Sequence, residues 1–469
     1  MRRWVRRGAI EFIRRYRIQL ESIRFIDRVW IRERLALDPE IDETVLEVAR
    51  QTGEPIAALR MRVDEYVEEI APYFSVTAYY RTGAWLAKRL VDFCFELVVD
   101  PDGYERQAAQ VPEGAIRVYV INHRSNTDAV VLAYSLLRRT PLSYAVGEWA
   151  LIWPLHTLFR MFGSYFVRRG EQDPVYRVVL ERFVQILTGH GGVTGFFIEG
   201  GLSRDGALRE PRIGLLDYLV RVRREHPDRD MVFLPVGLNY DRVLEDRNLV
   251  AERDGPLPRR GFYRRMLNLA GIAFWLPLLV GANLLKVATR SHQKFGYAAI
   301  TFGKPLRLTE WPGGATMHLL GDEERREAVE ALAHELLVNR VGAVVPVTPV
   351  PVLCEALVRT GDAPTHRVRR AVREVLGELR ALEVPIALGQ AFEALRTRRA
   401  WAEGEGELGV AERLDREEAD LVLLLATNTM TRRRVLLQWG TELRVVPGEE
   451  PIVEYYANSI RHHFERQES

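Results

Sequence analysis

The chain has 469 residues, of which 47% are hydrophobic and 28% are charged, and its formal net charge is +2. This is the composition of an ordinary globular protein, and it excludes a largely disordered chain, a collagen and a low-complexity fibre. The small net charge argues against a partner such as nucleic acid, and two cysteines are too few for a disulfide framework or a four-cysteine zinc site.

Residues 1–110 are predicted to form a basic helical region. Nine arginines fall within the first 30 residues against three acidic residues, and apolar residues recur there at helical spacing. Such a segment can lie on an anionic membrane as an amphipathic helix, or it can be a solvated helix packed on the protein body. No apolar core with a cleavage site follows, so we do not expect a signal peptide. A further apolar helix is predicted over residues 80–99.

From residue 111 onward, short β-branched runs alternate with longer stretches of helical periodicity. This alternation predicts an α/β layer fold for residues 111–320. Strands are expected at residues 117–121, 165–167, 193–198, 231–238 and 297–302, and helices at residues 129–137, 176–187 and 215–224.

The first chemical signal stands directly after a predicted strand. His123 is followed five residues later by Asp128, at the point where a helix is expected to begin. A strand-to-helix turn can fold the carboxylate back onto the imidazole, so that Asp128 takes the Nδ1 proton and Nε2 acts as a general base. No Gly-x-Ser-x-Gly motif is present, which disfavours a serine nucleophile and favours direct attack by a substrate hydroxyl. The spacing alone also fits a turn histidine followed by an ordinary helix cap.

A pair of arginines, Arg168 and Arg169, follows the predicted strand at residues 165–167. Paired guanidinium groups at the end of a strand can bind a phosphate or a carboxylate. The alternative is a solvated loop, since arginine is common throughout this chain.

A third cluster follows the predicted strand at residues 193–198. Glu199 stands at the strand end and can accept hydrogen bonds from polyol hydroxyls, while Gly200 lets the backbone approach a ligand closely. Ser203 and Arg204 come next and can hold a phosphate. The alternative is a tight turn with a capping serine.

A fourth cluster, residues 233–237, is an apolar strand that contains a proline, and it also fits a plain core or edge strand. Other motifs are missing. The chain has no Walker loop, and its glycines at residues 189–192 precede a strand, so we expect no dinucleotide cofactor. The ten histidines show no metal-ligand spacing, so we expect no bound metal.

Residues 266–285 form a segment of twenty residues without a charge, interrupted by Pro277. Its length reaches that of a spanning helix, but a span would place the two flanking parts of one catalytic domain on opposite sides of the membrane. We therefore expect a shallow insertion that does not cross the bilayer, with a buried core helix as the alternative.

Residues 321–469 are predicted to form a mainly helical C-terminal region. Residues 403–420 are acidic and contain glycine, so they are expected to form a surface linker. Short strands are predicted at residues 421–425, 433–438 and 443–446, and a final helix at residues 451–464.

In chain order, the four clusters resemble the four signature motifs of the glycerolipid acyltransferases. These motifs are His-x4-Asp, Gly-x-x-Phe-x-Arg-Arg, Phe-x-Glu-Gly-x-x-Ser-Arg and an apolar strand with proline, and they stand here at residues 123–128, 163–169, 197–204 and 233–237. Each motif alone is weak, whereas four in order are specific. Because Ile198 rather than proline precedes Glu199, the pattern is most similar to the membrane-bound glycerol-3-phosphate acyltransferases and the related dihydroxyacetone-phosphate acyltransferases. Leu202 departs from the arginine that is frequent at its position.

The resemblance implies a mixed sheet flanked by helices and transfer of an acyl group to the sn-1 hydroxyl of glycerol 3-phosphate. Coenzyme A or acyl carrier protein would supply the acyl group as a co-substrate, with no other cofactor. His123 and Asp128 would be catalytic, and Arg168, Ser203 and Arg204 would bind the phosphate.

The implied location is the cytoplasmic face of the cell membrane, where the lipid surface is a partner. Two alternatives stay open. One is an acyltransferase with lysophosphatidate or dihydroxyacetone phosphate as acceptor, and the other is a membrane scaffold whose site has lost its activity.

Overall fold

The computed structural model describes residues 28–71, 84–100, 102–136, 143–147, 164–168, 170–253, 294–389 and 408–465, with positions 392, 395, 397 and 398. Three of the predictions lie outside these ranges, because they concern the basic N-terminal segment up to residue 27, the uncharged segment 266–285 and Arg169. Within the described ranges, no helix combines the length and apolar character that crossing a bilayer requires.

A mixed sheet forms the centre of the described structure. Its strands are Glu96–Val99 (β1), Ile116–Ile121 (β2), Ser143–Gly147 (β3), Tyr165–Val167 (β4), Thr194–Phe197 (β5), Met231–Tyr240 (β6), Tyr297–Phe302 (β7) and Leu306–Arg307 (β8). They lie in the order β1-β7-β6-β2-β5-β3-β4, and β8 pairs with β6. Strands β6, β2, β5, β3 and β4 run parallel, whereas β7 runs antiparallel to β6. The carboxyl ends of five strands therefore meet at one edge of the sheet.

Helices cover both faces of this sheet. In chain order they are Arg28–Ala36 (α1), Pro39–Thr52 (α2), Ile56–Ile70 (α3), Ala84–Cys94 (α4), Gly103–Ala108 (α5), Asp128–Leu136 (α6), Pro174–Gly189 (α7), Gly214–Arg221 (α8), Asp246–Ala251 (α9), Asp322–His334 (α10), Pro349–Thr360 (α11), Thr365–Ala381 (α12), Leu408–Arg432 (α13) and Glu450–Glu465 (α14). Helices α1, α2, α3, α7, α8 and α10 pack on one face, and the others pack on the opposite face. The expected α/β fold, a mixed sheet flanked by helices, is confirmed.

The central strand β6 shows why the sequence carries apolar runs here. All ten of its residues are buried, as expected for a strand covered by helices on both faces. Side chains alternate between the two faces, so Val232 and Leu234 join one core while Met231 and Phe233 join the other.

The C-terminal helices add a small second sheet. It consists of Ala363–Pro364 (β9), Leu436–Trp439 (β10) and Glu442–Val445 (β11), which pair antiparallel in the order β10-β11-β9. Helices α11 to α14 share their apolar core with β6 and β7 of the large sheet. The division of the chain into domains at residues 110 and 320 stays a prediction.

Three of the predicted elements are wrong. Residues 96–99 were expected to extend a helix, but they form β1, because they reach the sheet edge and pair in parallel with β7. The linker expected at residues 403–420 and the strand expected at residues 421–425 instead fall, from residue 408 onward, in α13. Asp415 and Asp420 of α13 pair with Arg380 and Arg369 of α12. On the same helix, Val422 and Ala426 are buried in the core. Tertiary packing therefore overrides the local composition.

An ion-pair network fastens the N-terminal helices to α7. The Arg182 guanidinium donates from Nε to Asp38 at 2.8 Å and from Nη2 to Glu225 at 2.6 Å. Asp38 also caps α2, since its carboxylate accepts a hydrogen bond from the Glu40 N–H. Arg182 and Asp38 are both buried, so removing the guanidinium leaves a buried carboxylate without its counter-charge.

We expect Arg182→Ala to lower the free energy of unfolding by about 3 kcal/mol, the usual cost of leaving one partner of a buried ion pair uncompensated. Urea denaturation followed by circular dichroism measures this change. The matched control is Arg177→Ala on the exposed side of the same helix, which is expected to change the stability by less than about 0.5 kcal/mol. Equal losses in the two variants would contradict a stabilising role for the Arg182 network.

Candidate active site

The described residues of the first three sequence clusters lie at the edge where the parallel strands end, whereas the fourth, residues 233–237, lies within β6 beside β2. The segment at residues 122–127 follows β2 and leads into α6, and the segment at residues 198–204 follows β5. Because β2 lies between β5 and β6, their C-terminal loops are neighbours. Crevices at the carboxyl ends of such strands are the usual ligand sites of α/β sheets.

The predicted dyad is formed. His123 Nδ1 lies 2.9 Å from Asp128 Oδ2, and both side chains are buried. An ionised Asp128 accepts the Nδ1 proton, which leaves the lone pair on Nε2. Among the residues that the structure describes, Nε2 has no hydrogen-bond partner, and His123 lines an open cavity. The imidazole can therefore accept a proton from a ligand in that cavity.

Asp128 is held from several directions. Its Oδ2 also accepts the backbone N–H groups of Arg124 at 2.7 Å and Ser125 at 3.0 Å. Its Oδ1 accepts the hydroxyl of Tyr240 at 2.7 Å. Burial, together with the nearby Asp128, raises the pKa of Tyr240 well above its usual value. The phenol therefore stays protonated and acts as a fixed donor.

Glu199 joins two backbone segments, in addition to the ligand contact that its position predicts. Its Oε1 accepts the backbone N–H of His123 at 2.7 Å, and its Oε2 accepts the backbone N–H of Arg209 at 2.8 Å. Burial raises the pKa of Glu199, and the positive charge of Arg124 opposes this rise. Glu199 also lines the cavity, so its carboxylate joins two loops, while its contact with a ligand stays a prediction.

The ring of His123 is fixed by stacking. It lies on the ring of Phe197, with centroids 4.1 Å apart and an interplanar angle of 16°. On the other flank of the same loop, Asn122 donates to the Leu238 carbonyl at 2.9 Å and accepts the Leu238 N–H at 2.8 Å. The loop that carries the dyad is therefore tied to both neighbouring strands.

Arg124 connects this loop to the C-terminal helix. Its side chain is fully buried and donates to the carbonyl oxygens of Gly206 and, at 3.1 Å, of Ser459 in α14. Gly206 has φ +85°, and a Cβ at this position would overlap the Tyr455 carbonyl oxygen, so glycine is required here. Asn458 donates to the Asp205 carbonyl at 2.8 Å. The last helix thereby holds both loops of the site.

The cavity beside His123 has a volume of about 580 Å³. The lining includes five apolar residues, Ala129, Ala145, Val167, Phe196 and Leu215. It also includes three arginines, Arg168, Arg209 and Arg212. A ligand with an apolar chain and an anionic group matches this mixed lining.

The predicted arginines differ in their surroundings. Arg168 lines the cavity but is held by Glu69 of α3, with Nε 2.8 Å from Oε1. Its hydrogen bonds to Glu69 raise the pKa of Arg168 above its usual value. Arg204 is mainly exposed, lies 3.5 Å from Glu252 and does not line the cavity. Arg169 lies outside the described residues.

Ser203 and Gly200 shape the third loop. The Ser203 hydroxyl is buried and donates to Asp205 at 3.0 Å while it accepts the Gly206 N–H at 3.0 Å. The structure thus places Ser203 inside a turn rather than on the cavity wall. Gly200 lies on that wall with φ +63°, and a Cβ there would come within 2.7 Å of the Arg212 side chain.

Sequence inspection missed three residues of this site. Arg209 and Arg212 line the cavity, but they stand between the third motif, which ends at residue 204, and the fourth. Of the two, Arg212 has no ion-pair partner among the described residues, while Arg209 donates to the Leu202 carbonyl at 3.1 Å. Tyr240 ends the strand that contains the fourth cluster, and only the tertiary structure brings its hydroxyl to Asp128.

The arrangement is suited to general-base catalysis on a hydroxyl group. Within the described ranges, no three His, Cys, Asp or Glu side chains are grouped so that they could hold a metal ion. The groups available for chemistry are the dyad, the backbone of two loops and the arginines of the cavity.

Comparison with known proteins gives the family of this region. Residues 105–239 match the family model described as Acyltransferase. The chain contains an acyltransferase domain. The matched range includes the dyad, the Glu199 loop and nearly all of β6.

Curated relatives extend the likeness beyond that domain. Two glycerol-3-phosphate acyltransferases, from Aeromonas hydrophila and Pseudomonas putida, are 28% and 26% identical over 68% and 84% of this chain. A third, from Xylella fastidiosa, is 27% identical over 71%. The chain spans 38%, 47% and 37% of the length of these three relatives, less than half of each. The resemblance indicated by the four motifs is thus confirmed as distant homology.

A solved structure also matches part of the chain. It is the 1-acyl-sn-glycerophosphate (LPA) acyltransferase, PlsC, from Thermotoga maritima, with a TM-score of 0.28 and 14% identity over 66% of this chain and 92% of that one.

We expect Tyr240→Phe to lower the free energy of unfolding by about 2 kcal/mol, because Asp128 Oδ1 loses its hydroxyl donor in a buried environment. Urea denaturation at pH 7 measures the loss. The control is Tyr119→Phe, another buried tyrosine, whose hydroxyl lies 3.3 Å from that of Tyr104 and does not reach Asp128. An equal or larger loss in the control would contradict a special role for the Tyr240–Asp128 hydrogen bond.

Proposed function

We propose that this protein transfers a fatty acyl group from an acyl thioester to the sn-1 hydroxyl of glycerol 3-phosphate, giving lysophosphatidate. The observation that carries the proposal is the His123–Asp128 dyad, whose Nε2 is unpartnered among the described residues, on the wall of a cavity that also contains arginines. The distant homology to glycerol-3-phosphate acyltransferases supports the choice of acceptor.

The proton path follows from the dyad. His123 Nε2 takes the proton of the acceptor hydroxyl while its oxygen attacks the thioester carbonyl carbon. Asp128 stabilises the imidazolium that forms, through the hydrogen bond at Nδ1. The tetrahedral intermediate then breaks its carbon–sulfur bond, and the imidazolium returns the proton to the departing thiolate. The new carbon–oxygen bond forms directly between the two substrates before the carbon–sulfur bond of the donor breaks. No acyl-enzyme therefore forms.

The phosphate of the acceptor is assigned to the arginines on the cavity wall. Arg212 is available because no described carboxylate pairs with it, and Arg209 lies on the same wall. Arg168 is partly neutralised by Glu69, so it contributes less. Phosphate contacts from Arg169, Ser203 and Arg204 remain predictions of the motif pattern, and for Ser203 the structure supports a role in the turn.

The acyl chain is assigned to the apolar surface of the cavity. Phe196 and Leu215 provide such a surface beside the dyad, and burying a methylene group there is favourable by about 0.8 kcal/mol. Donor and product are both amphiphilic, so we place the reaction at the cytoplasmic surface of the cell membrane. The candidate membrane contacts are the basic N-terminal segment and residues 266–285.

The first test is the release of thiol from palmitoyl-coenzyme A by the full chain in lipid vesicles. Release is expected to require glycerol 3-phosphate and to fall at least about a thousandfold in His123→Ala, the usual effect of losing a catalytic base of this kind. The matched control is His366→Ala, an exposed histidine on α12, which should retain full activity.

Other outcomes distinguish the alternatives. Thiol release that requires lysophosphatidate or dihydroxyacetone phosphate would identify that compound as the acceptor instead of glycerol 3-phosphate. The dyad mechanism would still hold. Thiol release only with acyl carrier protein would identify acyl carrier protein as the physiological carrier of the acyl group. No release with any acceptor and either donor would reject the enzyme in favour of the scaffold.

A second test concerns the phosphate. We expect Arg212→Gln to raise the KM for glycerol 3-phosphate about 30-fold with little change in kcat, since a charge-assisted hydrogen bond contributes about 2 kcal/mol. Arg413→Gln, at an exposed arginine of α13, is the control. Arg204→Gln, assayed in parallel, tests the assignment made from the motif. A larger increase in KM for Arg204→Gln than for Arg212→Gln would show that the phosphate binds outside the cavity.

A further inference from the structure

A second cavity, of about 440 Å³, lies between the loop after β6 and the C-terminal end of α13. It shares no lining residue with the active-site cavity. Four of its seven lining residues are arginines, and the complete lining is Arg242, Leu244, Asp246, Arg247, Asn248, Arg432 and Arg433. Such a concentration of guanidinium groups around one space is unfavourable unless negative charge offsets it.

Two of the four arginines have acidic partners. Arg433 is buried with Asp246 in an ion pair and also donates to the Tyr456 hydroxyl at 3.0 Å. Arg247 lies 2.8 Å from Glu449. These two arginines are therefore neutralised within the protein.

The other two arginines are Arg242 and Arg432, which lack an acidic partner among the residues that the structure describes. Within the part of the chain that the structure describes, no carboxylate lies at ion-pair distance from Arg242 or Arg432. Arg242 is half-buried, and its guanidinium lies 4.4 Å from the centroid of the Phe295 ring. Burial lowers the pKa of Arg242, and the charge of Arg433 lowers it further. An anion in the cavity would relieve both effects.

We propose that this arginine cavity binds a phosphate monoester, either as a free anion or as the headgroup of a lipid. A phosphate monoester carries a charge of about −1.5 to −2 at pH 7, which matches the two unpaired arginines. Its three terminal oxygens suit the planar fork of guanidinium donors.

The lining also offers an apolar contact. Leu244 is 40% exposed beside the arginines, and it can pack against the carbon atoms that carry the phosphate. The same loop holds Glu245, which accepts a hydrogen bond from the Ser125 hydroxyl at 2.8 Å. An occupant of the cavity would therefore contact a loop that also supports the residues around the dyad.

The test uses inorganic phosphate and the full chain with Arg209→Gln and Arg212→Gln, so that binding in the active-site cavity is weakened. Isothermal titration calorimetry at constant ionic strength measures the affinity. Adding Arg242→Gln and Arg432→Gln to this chain is expected to weaken phosphate binding at least tenfold. Arg432→Gln alone, at an exposed position, is expected to weaken it about threefold without affecting folding.

The matched control is Arg50→Gln, at an exposed arginine of α2 that does not line the cavity, and it should bind phosphate unchanged. An affinity that stays within twofold after Arg242 and Arg432 are replaced would overturn the proposal.

Vesicles distinguish the two sources of the monoester. The full chain is sedimented with phosphatidylcholine vesicles that contain phosphatidate, a monoester, or phosphatidylglycerol, a diester, at equal surface charge. A preference for phosphatidate that disappears in the Arg242→Gln, Arg432→Gln variant identifies a lipid headgroup. Phosphate binding without this preference identifies a free monoester. The absence of both would refute the site.

Discussion

A carboxylate that is removed from water must find its hydrogen-bond donors within the protein, and this requirement organises the site around Asp128. Its two oxygens accept hydrogen bonds from the His123 ring, from two backbone N–H groups and from the Tyr240 hydroxyl. These donors come from the loop after β2 and from the end of β6. The position of the imidazole therefore depends on the pairing of the two strands, and not only on the local turn.

A second buried carboxylate repeats this arrangement between other elements. Glu199 joins the backbone of His123 to that of Arg209, so that the loops after β2 and β5 are held at a fixed separation. The nearby Arg124 opposes the pKa increase that burial causes in Glu199, and its own donors reach α14. Each charged group of the site thus both fixes geometry and balances another charge, which explains why so many ionisable residues can be buried close together.

Five of the eight strands of the large sheet, and the spacing of the dyad, could be predicted because both depend on local signals. β-branched runs between turns mark the strands, and the five-residue interval from His123 to Asp128 fits one strand-to-helix turn. Contacts between distant residues were not predictable in this way. The Tyr240–Asp128 hydrogen bond joins residues 112 positions apart. The local pattern also does not show that the Glu199 carboxylate binds the backbone of two loops. The linker and strand predicted within residues 408–425 are wrong because α13 is stabilised by its apolar face, whereas its acidic face dominates the composition.

The contact between Arg124 and Ser459 has a consequence for how the protein is made. The two residues are 335 positions apart, and a ribosome that adds about 5–20 residues per second takes on the order of tens of seconds to cover this distance. Throughout that interval the nascent chain already contains His123 and Asp128, but the helix that receives the Arg124 guanidinium has not been synthesised. Completion of the loop therefore waits until Ser459 has been synthesised, by which time strands β1 to β8 and helices α1 to α13 are already part of the nascent chain.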